Sequence, residues 1–275
     1  MSTDRLLTLR LPLAGAQNPD RVTHLLASAA LFALAMFVVL LPPWLTDPRL
    51  FEGAPIFSKP QKFNLSMAVH FFTLALLAQQ LPRAVRRGPI LLTTSYLAVA
   101  AMLLEIIYIT LQAARGRRSH FNFETGIEAS MYAVMGVGAV TLIAAAVVLA
   151  ILLWRRGQTD MPGYRWGSIL GLITGFVVTG VVAGVQSSIG THPADAHPSG
   201  GAVIPWIGWS REVGDLRPAH FVALHLMQTV PLIGYLADRR GLAAVPIVIV
   251  ATLLQLVLAF ALFAQALAGK ALWPI

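Results

Sequence analysis

The chain has 275 residues, 57% of them hydrophobic and only 12% charged, with a mean hydropathy of +0.72. That balance excludes a soluble core of this size and leaves no room for a nucleic-acid-binding module, while the formal charge of +8 is explained by membrane topology and anionic lipid. There is no cysteine, which excludes disulfides, thiolate metal sites and iron–sulfur clusters, so any metal must be held by His, carboxylate or Met.

Seven mainly apolar runs follow one another at about 23–45, 63–82, 89–113, 127–154, 165–188, 218–237 and 243–268, each near the roughly 20 residues that a spanning helix requires. They predict one all-α domain over 1–275, a polytopic membrane bundle of about seven helices. The first run follows Arg5, Arg10 and Arg21 and continues into "PPWLTDP" without a small-residue cleavage site, so it reads as an uncleaved span. The second and sixth are the shortest and least apolar, and they carry the intramembrane histidines. Basic residues gather in the tight turns "RAVRRG", "RRGQTDMPGYR" and "DRRG", which places the N-terminus in the cytoplasm and the C-terminus outside. Longer segments, 46–62, 114–126 and 189–217, fall on the opposite side. No internal repeat is evident. In the fifth run "GLITG" and "GVVAG" put Gly171, Gly175, Gly180 and Gly184 at small-xxx-small spacing, read first as helix packing and second as a smooth wall for a flat cofactor.

Polar residues fall in stripes. At 100° per residue, Lys62, Ser66, His70 and Thr73 share one face of the second run, and Glu105, Tyr108, Gln112 and Arg115 share one face of the third. On the sixth, His220 and His225 stand about 140° apart with Gln228 angularly between them. Counting from the outer ends brings His70, Glu105 and His225 to one level, roughly 10–13 Å below the boundary. Ionisable groups at such depth face the bundle interior and mark a site, although each alone could be a satisfied structural residue. Above them lies a cationic rim of Lys59, Lys62, Arg115, Arg117, Arg118 and Arg217, with His120 and Asn122 beside it. It suits haem propionates, an anionic amphiphile or simply lipid headgroups. In "GDLRPAH", Asp215 can cap the sixth helix, and Pro218 suits its first turn. His192 and His197, near Asp195, read as loop residues.

"KPQKF", "QAARGRRSHFN" and "GDLRPAHF" resemble segments of uncharacterised bacterial multi-pass membrane proteins, a likeness that implies the bacterial inner membrane and no particular activity. Ser66 and His70 are also similar to the Ser-xxx-His element of the membrane hydrolases that include alkaline ceramidases and adiponectin-type receptors. That resemblance implies zinc. It departs at His220 and His225, which are five apart rather than four, and at the carboxylate, which is Glu105 on the third run.

Three functions are expected from these residues. In the first, His70 and His225 ligate a b-type haem or transition metal, the rim residues Lys59, Lys62, Arg115 and Arg217 hold propionates, Ser66, Gln112 and Gln228 line the cofactor, and Glu105 and Tyr108 handle protons, with a quinone or quinol as a candidate partner. In the second, zinc is held by His70, His225 and either His220 or Glu105, with His120 as a further candidate, and activates water for hydrolysis of a lipid or amphiphile. In the third, His and Glu titrate as the relay of a transporter or sensor without a cofactor. Replacing Glu105 by Leu is expected to strand Tyr108 or a histidine.

Overall fold

The computed structural model describes residues 20–51, 54–189, 202–204 and 207–273. In chain order the elements are α1 (Arg21–Val39), α2 (Leu41–Thr46), β1 (Leu50–Phe51), β2 (Ala54–Pro55), α3 (Ser58–Ala78), α4 (Arg83–Arg86), α5 (Pro89–Ala114), α6 (Gly126–Arg156), α7 (Pro162–Ile189), α8 (Arg217–Arg239) and α9 (Ala244–Leu267). Seven of these helices have 19 residues or more. Two strands form one small antiparallel hairpin pairing Leu50 with Pro55 and Phe51 with Ala54.

Cross-element bonds fix which ends lie together. At one end Arg86 pairs with Asp20, the N-cap of α1, at 2.8 Å, and Gln158 N donates to Gln80 O at 2.8 Å. Asp238 there accepts from the first-turn amides of α7, Gly163 N at 3.1 Å and Tyr164 N at 2.7 Å. At the other end Trp44 Nε1 donates to Ser58 Oγ at 3.0 Å, Arg49 Nη1 to Ala114 O at 2.9 Å, and Lys62 Nζ to Ile207 O at 3.2 Å. The seven long helices therefore run alternately between a basic end and an opposite end.

Among the described residues, six segments are long and apolar enough to cross a membrane: Arg21–Thr46, which joins α1 and α2, and the helices α5 to α9. Of the seven apolar spans expected, the one at α3 is not among these six. It has 21 residues, as long as its neighbours need, but Lys59, Gln61, Lys62, Asn64, Ser66 and His70 lower its apolarity, so it lies outside that set. It also begins at Ser58 rather than near 63, because Pro60 sits in a first turn, where a missing N–H costs nothing. It ends at Ala78, ahead of Leu81 and Pro82, since a residue preceding proline is pushed out of the helical region.

Two groups of helices make up the bundle. Helices α1, α3, α5 and α6 enclose the main core, with Phe71, Met102, Ile106, Ala146 and Leu149 almost wholly buried. Helices α7, α8 and α9 form the other group, joined to the first chiefly where α6 meets α7. Glycines bring α7 and α8 to backbone contact: a Cβ on Gly167 would stand 2.7 Å from Val230 O, and one on Gly171 2.5 Å from Leu226 O. Gly163 and Gly175 continue that seam. Packing is thus the reading that holds for Gly171 and Gly175, whereas Gly180 and Gly184 have no atom within 4 Å of a built Cβ.

Candidate functional site

Between α3 and α8 lies a narrow cleft lined by Ser66, Val69, His70, Leu224, His225 and Gln228. Its enclosed room is about that of a single water molecule. The two histidines singled out by depth come together here from different helices. His70 is 4% exposed, its ring lies near the Leu142 carbonyl of α6, and its Nε2 has no hydrogen-bond partner. His225 donates from Nδ1 to Phe221 O at 2.8 Å, since a carbonyl can only accept, and its ring stacks on that of Phe221 with centroids 4.0 Å apart. Gln228 Oε1 is buried without a partner. An unpaired polar atom in a protein interior costs as much as a lost hydrogen bond, so such atoms normally meet water or a ligand.

Glu105, on α5, does not line the cleft. It is 1% exposed, and Oε1 has no partner. Gly138 of α6 makes the space for this carboxylate: a Cβ there would sit 3.1 Å from Oε1. Lys59, at the start of α3, is close enough to act on Glu105 electrostatically. Glu105 meets α6 at Gly138 and His70 meets it at Leu142, four residues on, so His70 is about 6 Å deeper. The equal-depth expectation is adjusted accordingly. Counted from the observed helix ends, His225 is about 12 Å down, Glu105 about 14 Å and His70 about 18 Å.

The stripe from Glu105 to Arg115 divides. Gln112, fully buried, donates from Nε2 to Tyr108 Oη at 3.2 Å, to Arg118 O at 2.9 Å and to Glu128 Oε1 at 3.4 Å, and accepts from Arg115 Nη1 at 3.0 Å. Glu128 in turn pairs with Arg117 at 2.8 Å, donates its backbone N–H to Oγ1 of Thr125, the N-cap of α6, at 3.2 Å, and accepts from that hydroxyl at 3.1 Å. Arg117 also pairs with Glu124, and that bond above all raises the basicity of its guanidinium. Tyr108, Gln112 and Arg115 are therefore spent on holding the loop between α5 and α6.

Much of the rim is likewise engaged. Arg217 makes a two-pronged ion pair with Asp215, its Nε at 2.9 Å and its Nη2 at 2.7 Å from the carboxylate oxygens. Asp215 also accepts from Arg217 N and Ser210 N, both at 2.9 Å, so it organises the start of α8 as "GDLRPAH" suggests. Burial pushes the Asp215 carboxyl up, but the Arg217 guanidinium and these amides hold it below the usual carboxylate range. Lys62 donates to the Ile207 carbonyl. His120 Nδ1 lies 3.1 Å from Ser119 Oγ, and its ring packs edge-on to Tyr132 at 6.3 Å, away from the cleft lining. His220, within electrostatic reach of His225, has a buried Nδ1 without a partner but does not line the cleft either. His192, Asp195 and His197 lie outside the described residues.

Two residues went unnoticed in the sequence. Gln61 and Asn64, 2% and 1% exposed, have both their amide oxygens and nitrogens unpartnered. With Ala68, Phe71, Ala75 and Ala78 they form one buried face of α3, a periodicity the stripe drawn from Lys62 passes over.

The polar zone stops in one half of the bundle. Beyond His70 the buried positions of α3 are Phe71, Leu74, Ala75, Leu77 and Ala78, and α6 offers Ala145, Ala146, Leu149 and Leu153. Among the described residues, the buried polar groups nearer the basic end include Ser95 of α5, which donates to the Leu91 carbonyl of its own helix at 2.7 Å, and Gln80, which donates to Ser168 Oγ at 2.8 Å.

A porphyrin does not fit the cleft, which is far smaller than the roughly 300 Å³ or more of cofactor pockets. Among the described residues no three of His, Asp and Glu converge as a metal-binding group, so the ligand set drawn for zinc is not assembled. Comparison with family models, curated proteins and solved structures finds no match. The chain's own helices carry the conclusion: it is an integral multi-pass membrane protein.

Proposed function

We propose that this protein binds a small polar ligand within the outer half of a bacterial inner membrane and exchanges protons with it. The carrying observation is the convergence of His70 and His225, from different helices, on one cleft with Ser66 and Gln228. In this reading all seven long helices span, including α3, with the basic turns at Arg83–Arg87, Arg155–Arg156 and Arg239–Arg240 in the cytoplasm and the C-terminus outside. The imidazoles and the Gln228 amide recognise the ligand. Glu105, one turn above His70, is the proton-exchanging group, and Lys59 lies between it and the outer boundary. The apolar layers of α3 and α6 below His70 argue for binding or catalysis at a blind-ended site rather than conduction across the membrane.

With no native cysteine, access is testable on a clean background. Ser66→Cys is expected to react with a membrane-impermeant thiol reagent added outside and to be protected from the cytoplasmic side. Reaction from the cytoplasm alone, or no reaction from either side, would sink the reading.

A second reading is favoured by the His225 Nδ1 bond. An imidazole that donates from one nitrogen to a backbone carbonyl presents a lone pair on the other, as metal-ligating histidines do. A single transition-metal ion would then be held by His70 and His225, with Gln228 and Ser66 as oxygen donors. Stoichiometric metal that disappears in His225→Ala would favour it, and metal-free protein with full ligand binding would remove it.

A further inference from the structure

The cleft between α3 and α8 has room for about one non-hydrogen atom, and the polar groups that line it can be counted by what they give and take. His70 Nε2 has no partner. The Leu142 carbonyl can only accept, so the other ring nitrogen of His70, Nδ1, donates to it, and the neutral imidazole keeps a lone pair on Nε2. His225 is built the same way: Nδ1 donates to Phe221 O at 2.8 Å, which leaves a lone pair on Nε2. Gln228, three residues on and on the same face of α8, has an unpartnered Oε1 that also only accepts. Ser66, one turn before His70, brings a hydroxyl that can donate. Three acceptors and one hydroxyl thus surround a space the size of one water molecule, with no Asp, Glu, Lys or Arg in the lining.

We infer that this cleft binds ammonia, taken from ammonium at the outer surface. The inference rests on the cleft being the functional site. Ammonia is a single non-hydrogen atom with three N–H donors and one lone pair. Its donors suit His70 Nε2, His225 Nε2 and Gln228 Oε1, and its lone pair accepts from the Ser66 hydroxyl. Water has the right size but only two donors, so it would leave one of the three acceptors unmet inside the bundle. A cation, ammonium included, would be desolvated with no counter-charge in the lining. The fourth proton therefore stays behind: one N–H bond of ammonium breaks, the electron pair remains on nitrogen, and the proton passes to water outside as hydronium. Val69 and Leu224 make up the rest of the lining and leave no place for a methyl group on the nitrogen.

The test uses the full chain in nanodiscs. The nitrogen resonance of isotope-labelled ammonium chloride is expected to broaden in a saturable way, beyond any broadening by empty nanodiscs. Unlabelled ammonium chloride should reverse the effect, whereas methylammonium chloride and potassium chloride should not. Gln228→Leu and Ser66→Ala are each expected to weaken binding about tenfold, the loss of one hydrogen bond. Gln228→Leu removes an acceptor that the fold leaves unpaired, so it should do this with no fall in melting temperature, which separates a lost ligand from a lost fold. Val69→Phe, which fills the space and leaves every polar group in place, should abolish binding. Absence of saturable broadening, equal competition by methylammonium or potassium, or unchanged affinity in these variants would each overturn the inference, and stoichiometric metal lost in His225→Ala would put a metal ion there instead. Failure here with Ser66→Cys still reactive from outside rejects ammonia and leaves the site standing; failure of both rejects the site.

Discussion

Two polar regions of this bundle, one at the adjoining ends of α5 and α6 and one reaching about 18 Å down α3, are built on opposite principles. At the top of α5 and α6, Gln112, Tyr108, Arg115, Arg117, Glu128 and Thr125 satisfy one another in a closed network. Around α3, His70, Glu105, Gln61, Asn64 and Gln228 each keep at least one buried polar atom without a partner. The first region closes and caps a loop. The second holds groups in readiness, which is sensible only where something else completes them, since orphaned polar atoms destabilise a fold. Polarity inside a membrane is thus weak evidence of function until the partners are counted.

That contrast can be broken most directly at Gln112. Replacing it by Leu removes its bonds to Tyr108, Arg115 and the buried Glu128, while the Arg118 carbonyl keeps Asn122 Nδ2 at 3.0 Å, so the main cost is about 1–3 kcal/mol for the partner lost to Glu128. Thermal unfolding in detergent should show a large loss, and wild-type stability would mean that the network is decorative.

Asp215 gives the next largest effect. Its carboxyl is held below the ordinary value, so its contribution is fully present above pH about 3.8 and is lost as the pH falls through the depressed folded value. Asp215→Asn is expected to cost about 1.5–3 kcal/mol at neutral pH. It should also flatten the acid limb of a stability profile, and an acid limb equally steep in the variant would contradict this.

In the unpartnered region the expected costs shrink. Gly138→Ala pushes a methyl against Glu105 Oε1, for about 1 kcal/mol, and should alter ligand affinity more than melting temperature. Glu105→Leu is expected to change stability by no more than roughly 0.5 kcal/mol, because no protein partner is stranded, while abolishing proton exchange with the ligand. This reverses the expectation drawn from the sequence, in which Leu would strand Tyr108 or a histidine; the structure bonds Tyr108 to Gln112 instead, and His70 Nε2 is already without a partner. A strongly destabilised Glu105→Leu protein would erase the distinction between the two regions.

Helix limits were legible wherever apolarity alone decides them: the runs at 89–113, 127–154 and 243–268 match α5, α6 and α9 within two residues. The start of α3 was not, because its polar first turns read as a loop until Pro60 is recognised as an N-terminal residue. His70 and His225 both line the cleft although their depths differ by about 6 Å, and His220, grouped with them in one polar sector, does not line it. Periodicity could not divide the α5 stripe. It shows which residues share a face, whereas Glu128 and Arg117, which claim Gln112, come from another helix and a loop. Gln61 and Asn64 escaped for a related reason: charge draws attention to Lys62, and only packing reveals that the neighbouring face is the buried one.

The glycine seam between α7 and α8 has a mechanical consequence. The glycines at 163, 167 and 171 let α7 lie against the backbone of α8, so a methyl at any of them would force the two helices apart, and the pair is expected to move as one unit rather than slide, since each notch in α7 fits one stretch of α8 backbone.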